Sequence, residues 1–193
     1  MARTREFDPE DALHRAMGVF WRKGYANTSI EDLVDATGVN RYGLYDEFQS
    51  KHGIFLAALD RYREESIGRA IATIEAPGAG LGAIRAFLEG ALEHACTEEG
   101  RAGCLMTNSA AEVAPYDDQA AHEVEVFRRR LAAAFRGALE RARARGELAA
   151  DAPVERNADF LVGVLHALSV LARSRAGKPM MTHVVQAALA VLR

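Results

Sequence analysis

The 193-residue chain reads as an all-α protein: an N-terminal three-helix head of helix-turn-helix form, joined by one long helix to a C-terminal helical body. Three observations carry that reading. Apolar residues recur at helical spacing along most of the chain. The five prolines, at 9, 77, 115, 153 and 179, fall at boundaries between those patterns. Residues 28–53, TSIEDLVDATGVNRYGLYDEFQSKHG, set two short helices around a tight turn ahead of a third.

Taken in order, Asp8 and Pro9 form an N-cap and first-turn pair, opening a helix whose Leu13, Met17 and Phe20 share one face until Lys23-Gly24 closes it. Thr28 and Glu31 have capping-box spacing and predict the next helix start. Ile30, Leu33, Val34 and Thr37 follow at helical spacing, and Gly38 can take the left-handed conformation that ends a helix of about two turns. Val39 is placed to plug the angle between helices. Asn40 caps the second helix, whose exposed face would carry Arg41, Tyr42, Gly43 and Tyr45 while Leu44 and Phe48 face inward. Ser50 then caps a long helix with Lys51 in its first turn. That helix runs to about Ile74 with Phe55, Leu59, Tyr62, Ser66 and Ala70 as its stripe, and PGAGLG at 77–82 ends it.

The body begins with a helix from about Leu81 to Thr97 carrying Ile84, Phe87, Leu88, Ala91, Leu92 and Ala95, followed by the polar loop TEEGRAG. A short piece near Cys104–Val113 ends at Pro115. Gln119–Arg145 repeats apolar residues from Ala120 through Phe127 and Phe135 to Ala142, and Gly146 is a plausible stop. From Pro153, the residues Val154, Ala158, Leu161, Leu165, Leu168 and Ala172 step like one heptad seam. Phe160, Val164 and Leu171 fall off that seam, so this helix is expected to be buried on two sides. A last helix spans about Thr182–Leu192. Two terminal helices with more apolar surface than one core needs predict pairing with the same helices of a second chain, a homodimer.

The bulk properties set limits. A hydrophobic content of 49% is ample for a core. There is no run of about 18 apolar residues and no apolar signal-peptide core in MARTREFDPED, which predicts a cytoplasmic protein without membrane association. Cys96 and Cys104 form neither a CxxC pair nor a disulfide framework, in keeping with a reducing compartment and no bound zinc. Net charge is −3, and residues 1–51 carry seven basic against nine acidic side chains, so any nucleic-acid contact must come from a few cations gathered on one surface. Arg3, Arg5, Arg41 and Lys51 are the candidates. The six histidines are scattered, and no catalytic triad, metal-ligand set or glycine-rich phosphate loop stands out, so neither an enzyme nor a cofactor is expected.

Gly38, Val39, Leu44, Tyr45, Phe48, Ser50 and Lys51 together resemble the DNA-binding signature of the TetR family of transcriptional regulators. The resemblance extends upstream through Ala12, Ala16, Phe20, Gly24-Tyr25 and Thr28-Ser29-Ile30. It implies a DNA-binding head (residues 1–51), a helical ligand-binding and dimerisation domain (52–193), a palindromic double-stranded operator bound by a dimer, and a small-molecule effector; repression is the family default. In a helix-turn-helix the second helix enters the major groove, so Arg41 and Tyr42 are placed to read base edges while Gly43 lets the backbone approach. By position-matching, the resemblance implies phosphate contacts from Thr28, Asn40, Tyr45 and Lys51. Asp46 and Glu47 stand where the family often has neutral or basic residues; they are expected to face away, as caps or partners of Lys51 and nearby arginines.

For the effector site, the candidates are Phe87, His94, Cys104, Met106, Asn108, Glu112, Tyr116, Phe127 and His166, each of which would otherwise be an ordinary core or surface residue. The stretch Gly103–Asp118 resembles a segment seen in part of the family, where the cysteine after glycine can lie at the sensing cavity. A redox or electrophile sensor at Cys104 is therefore one alternative function, and an architectural or scaffold protein bound to DNA without any ligand is another.

Overall fold

The computed structural model describes residues 7–192, with the side chains of residues 66 and 67 left aside. The expected all-helical architecture is present. In the head, α1 (Pro9–Lys23) and α3 (Arg41–Phe48) pack on α4 (Lys51–Tyr62), and α2 (Ile30–Thr37) packs against α1 and α3. Asp8 accepts the Glu10 amide at 2.9 Å, with Pro9 in the first turn. Leu13, Met17 and Phe20 are buried together with Leu33, Leu44 and Phe55.

The start of α2 differs from expectation by one residue. Ser29 is the N-cap, its hydroxyl accepting the Asp32 amide and Asp32 accepting the Ser29 amide, both at 3.0 Å. Thr28 is buried and its hydroxyl donates to the Gly24 carbonyl at 2.6 Å. Thr28/Glu31 and Ser29/Asp32 have identical spacing; burial of the threonine methyl leaves the serine at the helix mouth. Gly38 ends α2 in the left-handed region, Asn40 accepts the Gly43 amide at 2.8 Å, and Ser50 accepts the Gly53 amide at 3.0 Å, as the sequence predicts.

The long helix is not uniform. A π-helical turn, Arg63–Ile67, separates α4 from α5 (Gly68–Glu75). A π-turn holds an extra residue relative to an α-turn, so it advances the register. Phe55, Leu59 and Tyr62 are buried as expected, but after the turn the buried stripe passes to Ile71 and Ile74, and Ala70 is exposed. The Ser66 side chain lies outside the described residues.

The body comprises α5, α6 (Leu81–Ala95), α7 (Leu105–Glu112), α8 (Asp118–Ala144), α9 (Val154–Arg173) and α10 (Lys178–Ala190), with 3-10 turns at Gly100–Ala102 and Ala114–Tyr116. Long-range polar contacts tie helix ends together. Arg141 donates to the Ile74 carbonyl (2.6 Å) and the Ala79 carbonyl (3.0 Å), closing the end of α5, and Glu147 accepts the Leu81 amide at the start of α6. Ile84, Leu88, Phe135, Leu139, Ala158 and Leu161 form the deepest packing. The outer face of α9 differs in composition from the one expected: Val164 is buried within the chain and Leu171 packs partly on the core, whereas Phe160 and Val170 are exposed. Met180 and Val191 at the two ends of α10 are exposed as well. Among the described residues, no helix is long and apolar enough to cross a membrane.

Candidate DNA-reading head and ligand cavity

Helix α3 is short, and its N-terminal half is its open end. Arg41 and Tyr42 are exposed there, Tyr42 to 66%. One turn apart, Arg41 and Tyr45 interact, the guanidinium carbon lying 5.2 Å from the ring centroid. That stacking holds a planar five-donor fork at the rim of the helix, the shape that matches a guanine edge. Gly43 serves packing as well as approach: a Cβ there would lie 3.0 Å from Val39 Cγ1 and 3.4 Å from the Phe7 ring.

Two of the residues matched to phosphate contacts are engaged inside the head. The Thr28 hydroxyl is buried, so it does not present itself to a phosphate, and Ser29 holds the mouth of α2 instead. Lys51 donates to the Tyr25 carbonyl (3.0 Å) and the Thr28 carbonyl (2.8 Å), with its ammonium 4.3 Å from the Tyr25 ring centroid. Its ammonium thus meets these two carbonyls, and one of its three protons remains for another acceptor. Arg3 and Arg5 lie outside the described residues.

The loop between α1 and α2 is a joint with the body. Lys51 holds its carbonyls, and Glu112 at the end of α7 accepts its amides, from Tyr25 at 3.2 Å and Ala26 at 2.8 Å. Gly24, at φ +83°, passes so close that a Cβ would meet a Glu112 carboxylate oxygen at 2.6 Å. Glu112 is therefore a clamp between head and body and does not line the cavity described below. A second joint forms where Trp21 donates from its indole nitrogen to the Gly103 carbonyl (2.9 Å) and Arg173 donates to the carbonyls of Trp21 and Ala102. A third pairs His52 of α4 with Asp117, the N-cap of α8, at 2.6 Å. The Ala120 amide and the His52 contact hold the Asp117 carboxyl below the usual aspartate range.

Between the α4–α5 helix, α6, α8 and α9 lies a cavity of about 800 Å³. Of the sequence candidates, Phe87, His94, Cys104, Phe127 and His166 line it. The others do not: Met106 is fully buried core, Asn108 donates to the Ala102 carbonyl, and Tyr116 is 90% exposed on the surface. Sequence reasoning missed Trp21, Tyr62 and Thr107, which also line the cavity. Trp21 and Tyr62 meet edge to face at 5.1 Å, so the wall of the cavity includes a helix of the head and the last residue before the π-turn. Burial and the Cys104 thiol raise the Tyr62 phenol well above the ordinary tyrosine range. Burial, with a smaller contribution from Arg128, lowers the His166 imidazole, whose Nδ1 lies 2.8 Å from the Thr107 hydroxyl.

A helix-turn-helix head, with a reading helix open to solvent and a ligand-sized cavity in the helical body joined to it, defines a regulator of the DNA-binding class. Residues 12–58 match the family model for bacterial regulatory proteins of the tetR family, and residues 80–188 match the tetracyclin repressor-like C-terminal domain. The chain belongs to the TetR family: it is a DNA-binding transcriptional regulator and not an enzyme. It is 36% identical over 77% of its length to the uncharacterized HTH-type transcriptional regulator YezE of Bacillus subtilis (strain 168), covering 76% of that protein. It is 31% identical over 90% of its length to the HTH-type transcriptional repressor ComR of Escherichia coli (strain K12), covering 83% of it. Among solved structures, a cysteine mutant of the TetR family transcriptional regulator CifR, complexed with 26-base-pair double-strand operator DNA, superposes with a TM-score of 0.87 at 30% identity, each chain covered in full.

Proposed function

We propose that the chain is a ligand-responsive repressor: a homodimer that binds a palindromic operator in the cytoplasm and is released by a small-molecule effector. The observation that carries this reading is that residues of the head, Trp21 with His14 and Met17, line the body cavity, and that Trp21 hydrogen-bonds the Gly103 carbonyl beside it. A ligand against Trp21 acts on α1, and one against Tyr62 acts on the helix that carries the head. With residues 1–51 as the reading unit and 52–193 as the responding one, a small displacement suffices, because two heads must sit about 34–36 Å apart, or a multiple, to meet successive grooves. Release requires that the ligand favour one head spacing over the other.

Arg41 and Tyr42 are proposed to read base edges; Asn40, Tyr45, the remaining Lys51 proton and, in place of Thr28, Ser29 at the mouth of α2 are proposed to hold phosphates. The exposed apolar side chains on α9 and α10, Phe160, Val170, Met180 and Val191, support pairing through these two helices. Selection of bound duplexes from a random pool at two salt concentrations tests the reading: a palindromic site with steep salt dependence supports it, and no enriched site refutes it. A second reading, sensing through Cys104, draws on the placement of that thiol in the cavity wall beside Tyr62. Operator affinity of Cys104→Ser with and without an alkylating agent decides it; an unchanged response removes the thiol from the mechanism.

A further inference from the structure

The interior wall of the cavity is apolar and aromatic, with Met17, Phe87, Phe127, Leu131 and Leu165 among its side chains. The chargeable groups that reach it apart from those set deeper, namely Glu65, Arg69, Glu99 and the imidazoles of His14 and His94, belong to side chains open to solvent; Glu65 is paired with Arg61 at 2.7 Å, and the Arg69 guanidinium donates back to the Glu65 carbonyl. Arg128, the cation nearest His166 in effect, is exposed and ion-paired with Glu125. The polar groups set deeper are neutral: the raised Tyr62 phenol, the lowered His166 imidazole, Thr107 and Ser169. Ser169 is occupied, accepting the Cys104 amide at 2.7 Å. His166 is different, because its Nδ1 is taken by Thr107 while its second ring nitrogen has no partner among the described residues.

Resting on the functional reading above, we infer that the effector is a neutral, mainly apolar molecule of two-ring size or somewhat larger, bearing one hydrogen-bond acceptor that meets Nε2–H of His166. A hydroxyl can donate to a ring nitrogen or accept from one, but the Thr107 hydroxyl has no other partner among the described residues, so its one proton is satisfied only with Nδ1 as the acceptor. That fixes the proton of the neutral imidazole on Nε2 and makes the nitrogen left over a donor. An ionised ligand placed there loses its hydration without a counter-charge inside the wall. A cavity of about 800 Å³ lies within the range of sites that enclose small organic ligands.

Four probes built on one skeleton test this: benzophenone, diphenylmethane, diphenylacetate and diphenylmethylammonium, titrated calorimetrically into the full chain. Trp21, the one tryptophan of the sequence, reports by its emission whether binding is in this cavity. Benzophenone is expected to bind about three- to tenfold more tightly than diphenylmethane, the usual worth of one hydrogen bond, and both ions are expected to bind more weakly than either. His166→Phe keeps a ring of similar size and should abolish the ketone's advantage; Thr107→Val, which frees the tautomer, should reduce it. Preference for an ion, or a ketone advantage unchanged in both variants, overturns the assignment, as does failure of all four to perturb Trp21. Operator affinity measured in the same samples separates the two proposals: probes that bind as expected yet leave operator binding unchanged would count against release by a ligand while leaving the ligand class intact.

Discussion

In the head, polar side chains mostly serve their own helix ends. Ser29 and Asp32 cap each other's amides, Asn40 caps α3, Ser50 caps α4, and each bond spans three residues. In the body Asp117 caps α8 in the same local way, but other helix ends are held by bonds that span 60 residues or more, as from Arg141 to Ile74 and from Glu147 to Leu81. The packing differs in the same direction. Leu33, Leu44 and Phe55 are sealed in the head, while α6, α8 and α9 leave a cavity walled by buried side chains such as Phe127 and Leu131 together with half-buried ones such as Phe87, Leu165 and His166. A reading surface needs a rigid shape to match DNA, and a responding domain needs space and two arrangements of similar energy. The joints at Glu112, Trp21 and His52 lie where one style meets the other.

The sharpest way to break this contrast is to remove matched side chains from both regions. Leu44→Ala in the sealed head should cost about 2–5 kcal/mol in denaturant unfolding and abolish operator binding, whereas Leu165→Ala on the cavity wall should cost about 1 kcal/mol. Equal losses would mean that the cavity is as tightly held as the head. Glu112→Ala leaves the Tyr25 and Ala26 amides without their acceptor and should cost about 1–3 kcal/mol, with a changed operator affinity even without ligand. Arg41→Ala should relax preference at one base position by about 1–3 kcal/mol in competition binding, with stability unchanged. Ser29→Ala should lower stability by about 1 kcal/mol and Glu31→Ala by less, since the serine is the cap.

The smallest effect is in the acid limb of the stability curve. Because burial lowers the His166 pKa, the unfolded chain takes up that proton first as pH falls. The stabilisation is complete above the unfolded value of about 6.5 and is lost as pH falls through the folded one, so His166→Phe should flatten the decline between about pH 7 and pH 5. Asp117, also lowered, acts in the same direction but further down, below the unfolded aspartate value of about 3.9.

Most helix starts and stops were legible because caps, prolines and left-handed glycines act within a few residues: Asp8-Pro9, Gly38, Asn40 and Ser50 fall where periodicity and turn chemistry place them. Thr28 was misread as a cap because two overlapping pairs satisfy the same spacing, and only the packing of the head buries one hydroxyl and leaves the other at the helix mouth. The continuous stripe through Ala70 failed for a related reason, since the π-turn at Arg63–Ile67 shifts the register.

For the cavity, the chain's local pattern specified helices and their apolar faces, and Phe87, Phe127 and His166, chosen from those faces, do line the space. It carried no signal that Glu112 would clamp a loop 86 residues away, or that Trp21 of the head would form part of the body's wall. Caps and periodicity are short-range interactions, expressed by neighbours in the chain. Which faces meet, where they fail to close, and which side chain borders the space left over depend on how the helices of the described residues pack against one another, and that arrangement exists only in the folded molecule.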